Sequence, residues 1–158
     1  PAVRALVAEV IAYAATLRAC MTAAIETAEP TESGIMAPNH TYVSAGRLHS
    51  IVCYPKIMQT LRELSGQGLI SRVPRATWER QDLGAMLDEF LPGYQTSARD
   101  KNRLFNLIWD MTCSAAAMRI ALFENINAST ATNLREDLYR NYDRREGMEL
   151  IHRIAGMA

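Results

Sequence analysis

The stretch from Ser97 to Asn127 constrains this chain more than any other part of it. SARDKNRLFNLIWDMTCSAAAMRIALFENIN holds neither proline nor glycine and opens on Ser97 with Asp100 three residues later. A serine N-cap followed by an acid at the third helical position resembles a capping box, which satisfies N–H groups otherwise left orphaned. Leu104, Ile108, Met111, Ala115, Met118 and Leu122 make one apolar stripe at steps of four and three. Phe105, Trp109, Thr112, Ala116, Ile120 and Phe123 make a second beside it. Two adjoining stripes predict a helix buried over most of its girth, where one stripe would predict a surface helix. Unbroken, roughly thirty residues would span about 45 Å.

The remaining wedge of that helix starts polar at Arg103, Asn106 and Asp110, then turns small at Cys113, Ser114, Ala117 and Ala121 before Glu124. Small side chains in a bulky helix let another body approach the backbone. A closely crossing helix and a bound cofactor both satisfy that pattern, and the residues alone leave the two open.

The other segments are read around this helix. Residues 1–28 form a long helix whose Val3, Val7, Val10, Ala14, Leu17, Met21 and Ala24 make a bundle seam. Glu29-Pro30 ends it, and a connection over residues 31–39 carries Ile35-Met36, expected to pack down. Asn39 caps a helix running to Ser65, with Pro55 inside it; a mid-helix proline costs about 3 kcal/mol or kinks the helix, so a bend is expected near Cys53. Gly66 suits the left-handed residue that closes a helix, and Gly68 a second tight backbone position. Residues 69–81 are irregular, with Ile70, Val73 and Trp78 seeking cover and Arg72, Arg75 and Arg80 staying wet. Asp82 caps a short helix over 83–91, ended by Pro92-Gly93. Further helices cover 130–142 and 146–155, and the charged run from Asp137 to Glu146 reads as a solvated face with ion pairs. Nothing alternates with period two, so the expectation is an all-α helix bundle without strands.

Composition narrows function by exclusion. A chain of 158 residues, 49% apolar and of zero formal net charge, has room for one cored domain. It is neither a disordered segment nor an electrostatic nucleic-acid binder. Cys20, Cys53 and Cys113 are odd in number, widely spaced and each inside a predicted helix. They read as buried thiols in a reducing, cytoplasmic setting. His40, His49 and His152 have no metal-ligand spacing. No signal peptide and no bilayer-length apolar run is recognised, so no membrane partner is expected. Helical periodicity begins at once from Pro1, as in a domain cut from a longer polypeptide.

No catalytic constellation stands out. Glu63 and Asp110 read as structural carboxylates, and His49 as a satisfied histidine. The best local signal is Gly66-Gln67-Gly68-Leu69 after a helix. Its glycines let backbone N–H groups approach an anion, and they equally serve as a C-cap plus turn.

The order of segments resembles the C-terminal domain of the 4-hydroxyphenylacetate 3-hydroxylase family. The series is Gly34-Ile35-Met36-Ala37-Pro38, Ser44-Ala45-Gly46-Arg47, Tyr54-Pro55, Leu64-Ser65-Gly66-Gln67-Gly68-Leu69-Ile70, Pro74, Asp82-Leu83-Gly84, and Leu104-Phe105-Asn106-Leu107-Ile108-Trp109-Asp110, then Ser114 and Arg119. It covers about residues 3–142. The resemblance implies a helix bundle similar to the C-terminal domain of acyl-CoA dehydrogenase-like flavoenzymes. The family's N-terminal helical and middle β domains would then be absent from this chain, which would be one bundle domain over 1–158. It further implies a phenol monooxygenase using reduced FAD, with FMN as the alternative, supplied by a separate flavin reductase. A small aromatic substrate and a homotetramer joined through the bundles belong to the same expectation. The residues that match the family's flavin contacts are Gly66, Gln67 and Gly68, where one extra residue separates the glycines, and Ser114, Ala115, Ala116 and Ala117, where alanine stands for glycine. No catalytic residue is assigned, because those of the family lie in its upstream domains. Two other readings are a CoA-thioester dehydratase or isomerase of the 4-hydroxybutyryl-CoA dehydratase type and a non-enzymatic oligomerisation module.

Overall fold

A computed structural model describes residues 2–126 and 129–157. Its helices are α1 (Ala2–Glu26), α2 (His40–Ser65), α3 (Arg75–Trp78), α4 (Gly84–Phe90), α5 (Ala98–Thr112), α6 (Ala115–Ile126), α7 (Ala131–Asn141) and α8 (Arg145–Ala155). A 3-10 turn, Gly66–Leu69, follows α2. The class is all-α, as the periodicities predict. The expectation of no strands meets one small exception: β1 (Glu29–Pro30) and β2 (Met36–Ala37) pair antiparallel, Glu29 opposite Ala37. Gly34, at φ 79°, closes the tight turn between them, and Thr31 anchors it by donating from its N–H to the Ile35 carbonyl at 2.8 Å. Two-residue strands carry no readable alternation. Ile35 and Met36 are exposed rather than packed down.

The chain divides into two compact units, residues 2–10 with 53–126 and residues 11–52 with 129–157. In the second unit Asn39 caps α2 as expected, its Oδ1 accepting from the Thr41 N–H at 3.0 Å. A Cβ on Gly46 would lie 3.2 Å from the Cys20 Cβ, so α1 and α2 cross there at backbone distance. Buried Ser44 and exposed His40 both meet Asp137 of α7, at 3.4 and 3.1 Å. His49 Nε2 lies 3.0 Å from the Tyr13 carbonyl oxygen, the satisfied histidine the sequence suggests.

In the first unit, Asn102 fastens the irregular segment to α5. It is buried, accepts from the Val73 N–H and donates to the Val73 carbonyl, each at 2.8 Å. One amide thus satisfies both backbone groups of a loop residue. Trp78 finds the cover it seeks, whereas Ile70 is 85% exposed. Ser97 caps α5, accepting from the Asp100 N–H at 3.1 Å. The Asp100 carboxylate accepts a hydrogen bond from the Ser97 hydroxyl at 2.7 Å, where the acid of a capping box would accept from the Ser97 backbone N–H. Asp82 does not cap α4: Leu83 holds that position, and Asp82 pairs with Arg80 instead.

The long central helix is the main correction. It breaks after Thr112 and restarts at Ala115. The cause is local hydroxyl chemistry. Thr112 Oγ1 donates to the Ile108 carbonyl and Ser114 Oγ to the Asp110 carbonyl, both at 2.7 Å. The N–H groups of Cys113 and Ser114 converge on the Trp109 carbonyl at 2.8 and 3.1 Å. Hydroxyls that compete for helix carbonyls loosen the ladder. Cys113 is therefore the cap of α5 rather than a helical residue, and of the three thiols only Cys53 is buried.

A second correction concerns burial. Leu104, Met111, Met118, Ile120, Leu122 and Phe123 are all exposed. Periodicity reports that a face is apolar; it does not report what covers it. The same holds for α1, which is long and apolar enough, by length and composition, to cross a membrane, contrary to the expectation of no such run. The predicted bend near Cys53 meets an α2 assigned without interruption through Pro55.

Candidate functional site

The seven residues singled out from the sequence fall on two segments of the first unit. Gly66 has φ 50°, the left-handed value that closes a helix, and is exposed with nothing within 4 Å of where a Cβ would sit. Gln67 is exposed, and its carbonyl is spent on the Ile70 and Ser71 N–H groups, each at 3.0 Å. Gly68 is half-buried, and the ring of Phe105 from α5 fills the space a Cβ there would take. That is the second tight position expected, made by close approach rather than by a positive φ.

The other segment is the start of α6. Ser114 Oγ accepts from the Ala117 N–H at 3.1 Å while donating to Asp110, so one hydroxyl ends α5 and caps α6. The Met118 N–H takes the Ser114 carbonyl at 3.2 Å. The N–H groups of Ala115 and Ala116 have no acceptor among the described residues, and both alanines are exposed. Ser114 is half-buried and Ala117 is buried, forming the floor. Of these small residues Ala115 and Ala116 face outward, while Ala117 is covered within its own unit.

One contact relates the two segments. Arg62, a turn before Gly66, donates from Nη1 to the Thr112 carbonyl at 3.2 Å, at the end of α5 where the break begins. The arrangement offers a small-residue surface, two outward N–H donors and the positive end of a helix dipole. Such a surface suits a flat ligand edge rich in acceptors, as an isoalloxazine has in its carbonyls and ring nitrogens. The residues present therefore fit a flavin as a wall and hydrogen-bond rail. They supply no general acid, base or nucleophile.

A feature that sequence reading missed lies along α3 and α5. A groove of about 650 Å³ is lined by Arg75, Trp78, Arg99, Arg103, Asn106 and Asp110, among others, and none of the seven residues lines it. Arg99 grips Asp88 through both carboxylate oxygens, at 2.9 and 2.7 Å, which raises its pKa further above the ordinary guanidinium value. Asp100 is held below the usual carboxylate range, first by the Ser97 hydroxyl and then by Arg103. Arg72 lies over the Trp109 ring, 4.2 Å from its centroid. The signal available in the sequence was a lone tryptophan among arginines, which by itself points only to a wet surface.

Comparison with known proteins places the chain as a whole. The family model described as 4-hydroxyphenylacetate 3-hydroxylase C terminal matches residues 1–156. The oxygenase component of 4-hydroxyphenylacetate 3-monooxygenase from Thermus thermophilus is 30% identical over 145 residues, covering 92% of this chain and 30% of that protein. The oxygenase component of 4-nitrophenol 4-monooxygenase/4-nitrocatechol 2-monooxygenase from Rhodococcus opacus is 30% identical over 82% of this chain and 24% of its own length. This chain therefore spans less than a third of the relatives it matches. A crystal structure of the oxygenase component HpaB of 4-hydroxyphenylacetate 3-monooxygenase, complexed with FAD, superposes with TM-score 0.90 at 28% identity, over 96% of this chain and 32% of that one. A 4-hydroxybutyryl-CoA dehydratase from N. maritimus superposes at 0.87 with 15% identity, a likeness of fold alone.

Proposed function

Because this chain belongs to the 4-hydroxyphenylacetate 3-hydroxylase family through its C-terminal domain, we propose that it forms the flavin-facing and subunit-joining part of a reduced-flavin-dependent phenol monooxygenase. The observation that carries this reading is the start of α6, where two exposed alanine N–H groups open outward from a floor of small residues. Gly66 and Gln67, also exposed, supply the second rail.

Bound reduced FAD supplies the oxygen activation and the electrons for hydroxylating a small aromatic ring. The residues of this chain bind and orient. The N–H groups of Ala115 and Ala116 would donate to acceptors of the bound flavin, Ser114 fixes their direction by capping α6, and the alanine face would help shield the group from water. A separate reductase delivers the reduced flavin, and the phenol-binding and proton-handling groups come from the other domains of the oxygenase. The exposed apolar residues of α1, α6 and α8, among them Val7, Ile11, Leu122, Phe123, Ile151 and Ile154, are surfaces for those domains and for further copies of this chain in a homotetramer. The setting is cytoplasmic.

The test uses the complete oxygenase polypeptide. With reduced FAD, oxygen and a panel of phenols, catechol formation followed by chromatography is expected, while the 158-residue piece alone turns nothing over. Consumption of reduced flavin with peroxide as the sole product, for every phenol offered, would overturn the assignment.

A further inference from the structure

We propose that Arg72 is a positioning residue, setting how the two segments read as flavin-facing, the Gly66–Gly68 turn and the start of α6, stand to each other. This role rests on the flavin-facing reading of both segments and adds to it a residue outside either.

The chain that leaves the glycine turn is laid along one face of α5. Asn102, Asn106 and Trp109 follow one another at steps of four and three, which places them on a single helical face. Asn102 holds both backbone groups of Val73. Asn106 accepts from Arg72 Nη1 on its Oδ1 at 3.2 Å. Trp109 carries the Arg72 guanidinium over its ring, 4.2 Å from the centroid. Arg72 is half-buried in this seat, whereas Arg75 and Arg80 are exposed. A cation over an indole is drawn by the ring's quadrupole, more strongly as water is withdrawn. A guanidinium is also flat, so it stacks on the ring while an N–H at its edge reaches the amide.

Each side of the seat leads to one of the flavin-facing segments. Upstream, the Ile70 and Ser71 N–H groups close onto the Gln67 carbonyl, so a single hydrogen-bonded turn separates Arg72 from the glycines. Downstream, the Trp109 carbonyl accepts from both Cys113 and Ser114, at 2.8 and 3.1 Å, and Ser114 in turn caps α6 through the Ala117 N–H. The guanidinium therefore holds the one residue from whose carbonyl the α5–α6 break is suspended. With the ring released, that carbonyl and the cap beyond it gain freedom, and the Ala115 and Ala116 N–H groups lose their fixed direction. Arg62 makes a second tie to the break, from the helix before the turn, so loss of Arg72 should weaken the arrangement rather than dissolve it.

The experiment is anaerobic titration of the complete oxygenase polypeptide with reduced FAD. Arg72→Met keeps the stem, loses the charge and should weaken binding about fivefold, as expected for one half-buried cation–ring contact. Arg72→Lys returns a charge without the flat fork and should recover part of that loss. In a Ser114→Ala background, Arg72→Met should weaken binding by less than about twofold more, because both substitutions act through the same cap. Arg75→Met, at an exposed arginine of α3, should leave the titration unchanged. Wild-type affinity in Arg72→Met, or losses that simply multiply in the double variant, would overturn the proposal; a residue serving stability alone would move the urea midpoint and show no such coupling. If Arg72→Met does not fold, Arg72→Lys carries the same comparison at a smaller shift. Hydrogen exchange at the Ala117 N–H needs no flavin and should quicken about tenfold in Arg72→Met. An oxygenase that bound no reduced flavin would end the flavin-facing reading, while unchanged exchange at Ala117 would end the role of Arg72, so the two fail separately.

Discussion

Arg62 Nη1 stands 3.2 Å from the carbonyl oxygen of Thr112, tying the last turns of α2 to the point where α5 gives way to α6. A carbonyl at a helix terminus has no helical donor of its own, and a cation there also meets the negative end of the dipole. Arg62→Met keeps the stem and removes the donor. A loss of about 1 kcal/mol is expected in urea unfolding, from a charged hydrogen bond at a half-exposed place. Reduced-flavin affinity of the complete oxygenase should fall several-fold as well; unchanged affinity would separate the contact from the flavin wall.

Gly68 and Phe105 make a size prediction. A methyl group on Gly68 has no room unless the ring moves, so Gly68→Ala should destabilise by about 1–3 kcal/mol, the usual range for overpacking. Adding Phe105→Leu should recover part of that loss, giving a double-mutant coupling well outside additivity. Gly66→Ala meets open space but a left-handed φ, and should cost ~1 kcal/mol that Phe105→Leu does not restore. Equal rescue at both glycines would show that the ring is not the obstacle.

Ser114→Ala removes the cap of α6 and should cost about 1 kcal/mol, with Ser114→Asp recovering most of it. Because the cap sets the direction of the Ala115 and Ala116 N–H groups, the alanine variant should bind reduced flavin more weakly than its stability loss accounts for. Hydrogen exchange at Ala115 and Ala116 reads the local fraying directly.

Asp143 carries the clearest pH signature. Its carboxyl is lowered to about 2 by the Arg145 side chain first and the Arg145 backbone N–H second. A carboxylate whose folded value is depressed contributes stability above its unfolded value, near 3.8, and loses it as pH falls through about 2. Acidification from about pH 4 toward 2 should therefore loosen the start of α8. Carboxyl-carbon NMR should place the Asp143 midpoint near 2 in the wild type and closer to the ordinary carboxylate value in Arg145→Gln. An unmoved midpoint would discard the pairing.

The exposed groups around these sites explain why the fold was legible and the site only in part. The apolar steps of residues 1–28 and 39–65, the Asn39 and Ser97 caps and the left-handed Gly66 are local instructions, obeyed whatever surrounds them. The helix break at residues 112–114 was written locally too, in the hydroxyls of Thr112 and Ser114 on either side of Cys113. Continuous apolar stripes on either side outweighed that signal, because periodicity sums over many residues and a hydroxyl bonding to a carbonyl acts at one.

By itself the sequence determined the all-α class, most helix ends and the two small-residue segments, since propensity, capping and periodicity depend on neighbours along the chain. Only the tertiary structure decided that Phe105 occupies the space over Gly68, and that Trp78 is enclosed with its indole N–H unpartnered among the described residues. Each of these joins side chains or backbone groups whose spacing is set by how separate elements pack, and close packing admits one arrangement where the residue pattern admits several.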